Sequence, residues 1–284
     1  MKKLSANTTN YIRIERALKK IENKDDYIRF LKFSKNFYKE DFKNQLLIFY
    51  QNPEARIIKT FVEWKLYGRI VIKNPHKIYI YKNPKKKNNK KIIDGQVDVN
   101  GKEKKQRKEA GIEYIEDEKL RRVCTFDISD TMASRKLKKV LDIKKLVYLD
   151  NYDTKKLQKI VQDTCTIVRL SIIELQENDL LPKEHLPENH GNLDEFVYEI
   201  IIIIYKCSFG HHYENLGENF AESIAFLILD YFNLDTSFCK FNHLKDFNML
   251  DTKTKLVIGC KMQNIVQTFI DFVKEEYNGQ IMCA

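Results

Sequence analysis

Glycine and proline are scarce in this chain, nine and five among 284 residues. So few turn formers weigh against a turn-rich β-sandwich and favour long helices. Cysteine is present but in no metal or redox pattern. Cys124, Cys165, Cys207, Cys239, Cys260 and Cys283 form no CxxC, so neither a zinc ribbon nor a thioredoxin-like site is available. No secretory leader is expected, since Met1-Lys2-Lys3-Leu4-Ser5 runs into a charged amphipathic segment. The strongest apolar run, Phe196 to Tyr205, is broken by Glu199 and is about half the length that crosses a bilayer. These absences predict a reduced, soluble, cytoplasmic protein with no membrane partner. An apolar content of 43% excludes global disorder.

Charge is abundant and unevenly placed. Residues 1–150 hold 38 Lys and Arg against 20 Asp and Glu, whereas residues 151–284 hold 12 against 20. Between Lys65 and Lys91 there are ten cations and no carboxylate. Phosphate oxygens are the usual partner for uncompensated charge of this density, since each contact also releases counterions. A solvated surface would use the same lysines, but here aromatic residues alternate with them.

The hydrophobic pattern divides the chain. Residues 8–51 carry apolar positions at helical spacing (Tyr11, Ile14, Leu18, Ile21, then Tyr27, Phe30, Leu31, then Phe42, Leu46, Leu47), and Pro53 ends them. From Ala55 the period moves toward two, through Ile57, Ile58 and Phe61, then Ile70–Ile72 and Ile78–Tyr81. Asn74-Pro75-His76 reads as a hairpin turn between the last two runs. Residues 83–118 are polar and predict an exposed, mobile insertion. A strand at Arg122–Ile128 closes a first domain, and the basic stretch Arg135–Lys145 is its linker. Helices follow at about Thr154–Glu174, Asn192–Cys207, Asn215–Phe232 and Asp251–Tyr277, with Asp153 or Thr154 placed to cap the first. The expected fold is α+β. Helices pack on a small antiparallel sheet in domain 1–148, followed by a mainly helical domain 149–284 whose centre is the segment Phe196–Tyr205.

Two constellations could carry function. In the first, Gly68 turns the chain and projects Arg69, while Lys73 and Lys77 follow along it. With Trp64, Lys65, Tyr79, Tyr81, Lys85, Lys86 and Lys87 these residues make a candidate surface for nucleic acid, aromatic rings stacking bases and cations tracking the backbone. A lone tryptophan between helix and sheet equally suits a core plug, and the residue type favours that role for Trp64. Tyr79 and Tyr81, two apart on one strand face, are the better stacking pair. In the second, Tyr198-Glu199-x-x-Ile202 precedes Glu222 at the spacing of a zincin, in which two histidines at i and i+4 and a later carboxylate hold zinc. Tyr198 and Ile202 stand where both histidines belong, and isoleucine binds no metal. Glu199 and Glu222 are left without their partners, and the adjacent loop histidines His211 and His212 read as solvated. No metal, no cofactor and no catalytic activity are expected.

Taken in order, these features resemble the ArdC/LtrC family of plasmid and mobile-element proteins. The resemblance rests on Asn44-Gln45-Leu46-Leu47, Trp64-x-x-x-Gly68-Arg69 with Val71 following, and Phe126-Asp127-Ile128-Ser129-Asp130-Thr131. In the second half it rests on Ala221-Glu222-Ser223-Ile224-Ala225 and Leu234-Asp235-Thr236. It implies an N-terminal domain that binds single-stranded DNA and a zincin-like C-terminal domain, here a pseudoenzyme, in an antirestriction or accessory role for a mobile element. Two other functions fit the sequence. One is a protein–protein inhibitor that docks its acidic half on a host defence nuclease. The other is a metalloprotease with unorthodox ligands drawn from His211, His212, Glu218 and Glu222.

Overall fold

The computed structural model of the chain describes residues 6–82, 121–137, 139, 141, 153–178, 186, 192–209, 214–242 and 244–282. Lys85, Lys86, Lys87, the expected insertion at 83–118, His211 and His212 lie outside the described residues. The fold is α+β, helices with small antiparallel sheets.

The expected helical region breaks into α1 (Ala6–Lys19), α2 (Lys24–Ser34) and α3 (Phe42–Gln51). Side-chain caps set the breaks. Asn23 accepts from the Asp26 N–H to start α2, and Asp41 accepts from the Asn44 N–H at 2.7 Å to start α3. The apolar face of α2 (Tyr27, Phe30, Leu31) and most of α3 are buried.

Next come β1 (Ile58–Lys59), α4 (Phe61–Leu66), β2 (Arg69–Val71), β3 (Ile78–Lys82), β4 (Arg121–Asp127) and β5 (Thr131–Ala133). Phe61, read as the end of a strand-like stretch, instead opens α4. Thr60 and Glu63 form a reciprocal capping box there, and this local chemistry overrides the alternation before it. One sheet has the order β1-β4-β3, with Ile58 opposite Asp127 and Ile80 opposite Val123; the other pairs β2 with β5, with Ile70 opposite Met132.

The expected hairpin between residues 70–72 and 78–81 is therefore a misreading. Asn74 adopts φ 58° and carries the chain from one sheet to the other. The Ile72 N–H donates to the Asp130 carbonyl and the Arg69 guanidinium donates to Thr131, which holds β2 on β5. Strand β3 has neither edge free for β2. Its inner edge pairs with β4, and its outer edge is closed by side-chain amides of α3. Asn44 accepts from the Tyr81 N–H and donates to the Tyr81 carbonyl at 2.9 and 2.8 Å. Gln51 does the same for Tyr79, both bonds at 2.9 Å. Two amides on one helix thus substitute for a missing strand, so the edge cannot pair with another chain.

The helices of the second half are α5 (Thr154–Glu177), capped by Asp153, α6 (Leu193–Phe209), α7 (Glu214–Tyr231), α8 (Leu244–Met249) and α9 (Thr252–Met282). Phe196, Val197, Ile200 and Ile201 of α6 are buried, as their unbroken apolarity predicts. A single apolar cluster holds residues from both ends of the chain, Phe30 and Phe42 with Ile200, Ile224 and Ile270 among them. The Tyr27 ring meets Phe241 edge-on at 5.6 Å, and its hydroxyl is 2.8 Å from Ser223 Oγ. Helix α9 meets α3 at Gly259, where the Phe42 ring occupies the space of a side chain.

Candidate nucleic-acid interface

Asp127, at the end of β4, organises the ground on which the cations stand. It is buried, and its carboxylate accepts from the Arg56 and Ile57 N–H groups at 2.8 and 3.0 Å and from the Ser129 N–H and hydroxyl at 3.0 and 2.6 Å. Four donors satisfy one charge and pin the 55–57 segment to the β4–β5 corner. The indole of Trp64 donates to the Phe126 carbonyl at 2.9 Å and is fully buried. Trp64 is therefore withdrawn from the candidate surface; it locks α4 to β4 and offers no face to a base.

Tyr81 is withdrawn as well. It shares a strand face with Tyr79, but it lies under 10% exposed against the α3 and α9 side of the sheet. Tyr79 alone remains half-exposed, and the Arg122 guanidinium lies 3.7 Å from its ring centroid. That distance is a stacked cation–π pair, and the outer plane of such a guanidinium can itself carry a base. The pairing follows from the antiparallel register, in which Arg122 stands opposite Tyr81 and diagonal to Tyr79.

Exposed Lys77 precedes β3, and exposed Lys82 and Arg121 stand opposite each other at its far end. Lys82 also approaches Glu40 at 3.6 Å, a solvated contact that leaves its charge available. Lys65 and Lys73 are exposed, but they belong to the α4–β2–β5 module, where Lys65 Nζ sits 4.7 Å over the Phe61 ring. Arg69 is half-buried and spends Nε and Nη2 on the Thr131 hydroxyl and carbonyl, at 2.7 and 2.8 Å. It works first as a strut of the small sheet. Sequence reasoning missed Arg121 and Arg122; Lys82 it counted among the cations between Lys65 and Lys91, and with its partner Arg121 it alternates to the face away from Tyr79. The signal was a dibasic strand start, and its meaning depends on which strand it pairs with.

The carboxylates of Glu63 and Asp127 are held internally. Glu63 is pushed up by burial, yet bonds from the Thr60 N–H and hydroxyl, and then the charge of Lys59, outweigh that and leave it below the usual range. Glu63 stays ionised but faces its own helix cap.

The second constellation is placed differently. Tyr198 is half-buried with its ring 5.9 Å from Phe238, Glu199 is exposed, and Ile202 packs on the core. Glu222 accepts from the Lys240 and Phe241 N–H groups at 3.2 and 2.8 Å, holding the loop where Phe241 takes φ 51°. Both its oxygens serve the backbone. Among the described residues no group of three His, Cys, Asp or Glu side chains could hold a metal ion, and no helix is long and apolar enough to cross a membrane. No protein-family model, curated protein or solved structure matches the chain.

Proposed function

We propose that this chain binds single-stranded nucleic acid through the β3–β4 face. The observation that carries this reading is the Arg122–Tyr79 stack, with exposed Lys77 just before the same strand and the nearby carboxylates Glu63 and Asp127 held in internal bonds. A stacking platform beside cations suits a flexible strand, whose bases can turn onto the platform while phosphates meet Lys77. A rigid duplex would offer the phosphates only. The resemblance to the ArdC/LtrC family favours DNA as the polyanion and an accessory or antirestriction role for a mobile element in the cytoplasm. In the same reading α6 and α7 form a zincin-like scaffold without catalysis, because Tyr198 and Ile202 replace ligands and Glu222 is engaged by backbone donors.

The test is a fluorescence-anisotropy titration with single-stranded DNA, duplex and RNA of equal length at two salt concentrations. Two phosphate contacts, by Lys77 and Arg122, predict roughly a 7-fold loss of single-strand affinity between 50 and 200 mM salt. Binding that ignores salt, or that prefers the duplex, refutes the proposal.

A further inference from the structure

The far end of β3 opens on a cleft of about 450 Å³ between the start of α3 and the first half of α9. Small-ligand sites commonly span roughly 300–1,000 Å³, so a base with its sugar fits. The α9 wall is a single stripe. Cys260, Gln263, Asn264 and Gln267 recur at helical spacing, and all four line the cleft. Asn44 and Tyr81 line it from the α3 and β3 side, and Phe42 with Cys260 supplies an apolar part.

Charge does not select a phosphate here. Lys39 and Lys82 are matched by Glu40 and Asp41, and Lys82 already approaches Glu40 at 3.6 Å. A neutral group with a hydrogen-bonding edge suits such a lining. The amides differ in what they have left to give. Asn44 is engaged by the Tyr81 backbone, and Gln263 donates to the Tyr38 carbonyl. The side chains of Asn264 and Gln267 bond to no described residue, and they lie one helical turn apart, the first exposed and the second half-buried. Each presents a donor beside an acceptor. That pair complements adenine, whose N6–H donor and N7 acceptor are the usual target of asparagine and glutamine.

Position ties the cleft to the platform. Tyr81 stands two residues, about 7 Å, along β3 from Tyr79. Successive nucleotides of an unstacked strand can span that step, whereas stacked bases of a duplex lie only about 3.4 Å apart. Given single-strand binding at the β3–β4 face, on which this site depends, we propose that the α3–β3–α9 cleft receives the base next to the one on the Tyr79–Arg122 platform, with Asn264 and Gln267 selecting adenine. The strand is thereby read at one position and not held by charge and stacking alone.

Anisotropy with a dT oligonucleotide, and with the same length carrying dA or dC at alternate positions, tests this. The dA-containing strand binds roughly 5- to 100-fold tighter than the other two, as one good bidentate contact provides. Asn264→Ala combined with Gln267→Ala removes that advantage and leaves the dT affinity unchanged. Two half-buried cysteines report the two places separately. Cys124 is the register partner of Tyr79 and shares its strand face, whereas Cys260 lines the cleft. The bound dA-containing strand slows alkylation of both thiols, followed by mass spectrometry, and the dT strand slows mainly that of Cys124. Equal affinity for the three strands, a preference for dT or dC, or a Cys260 that the dA-containing strand leaves unprotected overturns the cleft assignment while single-strand binding stands. No binding of any strand overturns both.

Discussion

Replacing Asn44 with alanine removes the clamp on the outer edge of β3, and the structure sets the expected cost. The Tyr81 N–H and carbonyl lose their partners at 2.9 and 2.8 Å, in a residue under 10% exposed that water cannot reach freely. A buried backbone group left unpaired costs about 1–3 kcal/mol, so two predict a loss of about 3 kcal/mol. Gln51→Ala removes the same pair of bonds from Tyr79, but both residues are half-exposed and water substitutes. About 1 kcal/mol is expected there. Asn44→Asp should be worse than alanine. It keeps an acceptor for the Tyr81 N–H but sets a carboxylate against the Tyr81 carbonyl and beside Asp41, whose Oδ2 lies 3.4 Å from Asn44 Nδ2. Asp41 already has its carboxyl pushed up, by burial first and against the pull of the Asn44 N–H and Lys43. Urea unfolding with an unchanged denaturant slope gives the three values on one scale. An Asn44→Ala protein within about 0.5 kcal/mol of the native chain would refute the strand-substitute account.

Other positions give equally definite expectations. Tyr79→Leu or Arg122→Ala should weaken single-strand binding roughly 5- to 100-fold with stability nearly unchanged, whereas Trp64→Ala should cost about 3 kcal/mol or more and leave per-molecule binding of the folded fraction intact; anisotropy beside urea unfolding separates them. Gly259→Ala gains about 1 kcal/mol of helix propensity, but its methyl overlaps the Phe42 ring, which is buried edge-on against Phe30 at 5.7 Å, and the roughly 1–3 kcal/mol of overpacking wins. A double-mutant cycle with Phe42→Leu checks this, and additive costs would exclude the clash. Lys274 is held down to about 8, by burial first and then by Lys39, against the opposing charge of Asp271. The unfolded chain then binds more protons above pH 8, so stability should rise between about pH 8 and 10 and that rise should vanish in Lys274→Met, as chemical denaturation across that range measures.

What the sequence disclosed, and what it concealed, divides along local and non-local physics. Helix faces were legible because burial of Phe196, Val197, Ile200 and Ile201 follows directly from an apolar run longer than one helix face. The cap of α5 was legible as Asp153 or Thr154, because a cap acts on the next three residues, and Asp153 is the one that takes it. The Thr60–Glu63 box was written just as plainly, but the alternation of Ile57, Ile58 and Phe61 drew attention from it. Strand pairing was not legible. Nothing near Asn74 reveals that β2 pairs with residues 131–133, because the decisive bonds come from Arg69 and Ile72 to partners about 60 positions away. The site inherited that blindness. Tyr79 and Tyr81 are indistinguishable by period, and only the packing of α3 and α9 on one end of β3 buries the second. Arg122 enters the site for a reason no window around it contains, namely that antiparallel register sets it diagonal to Tyr79. A cation-rich segment therefore identifies a region that can meet a polyanion, but the platform within it is chosen by topology. If Arg122 were exchanged with Thr125, composition and local charge would be the same, yet the cation would lose its place beside the ring and a polar buried site would receive a charge.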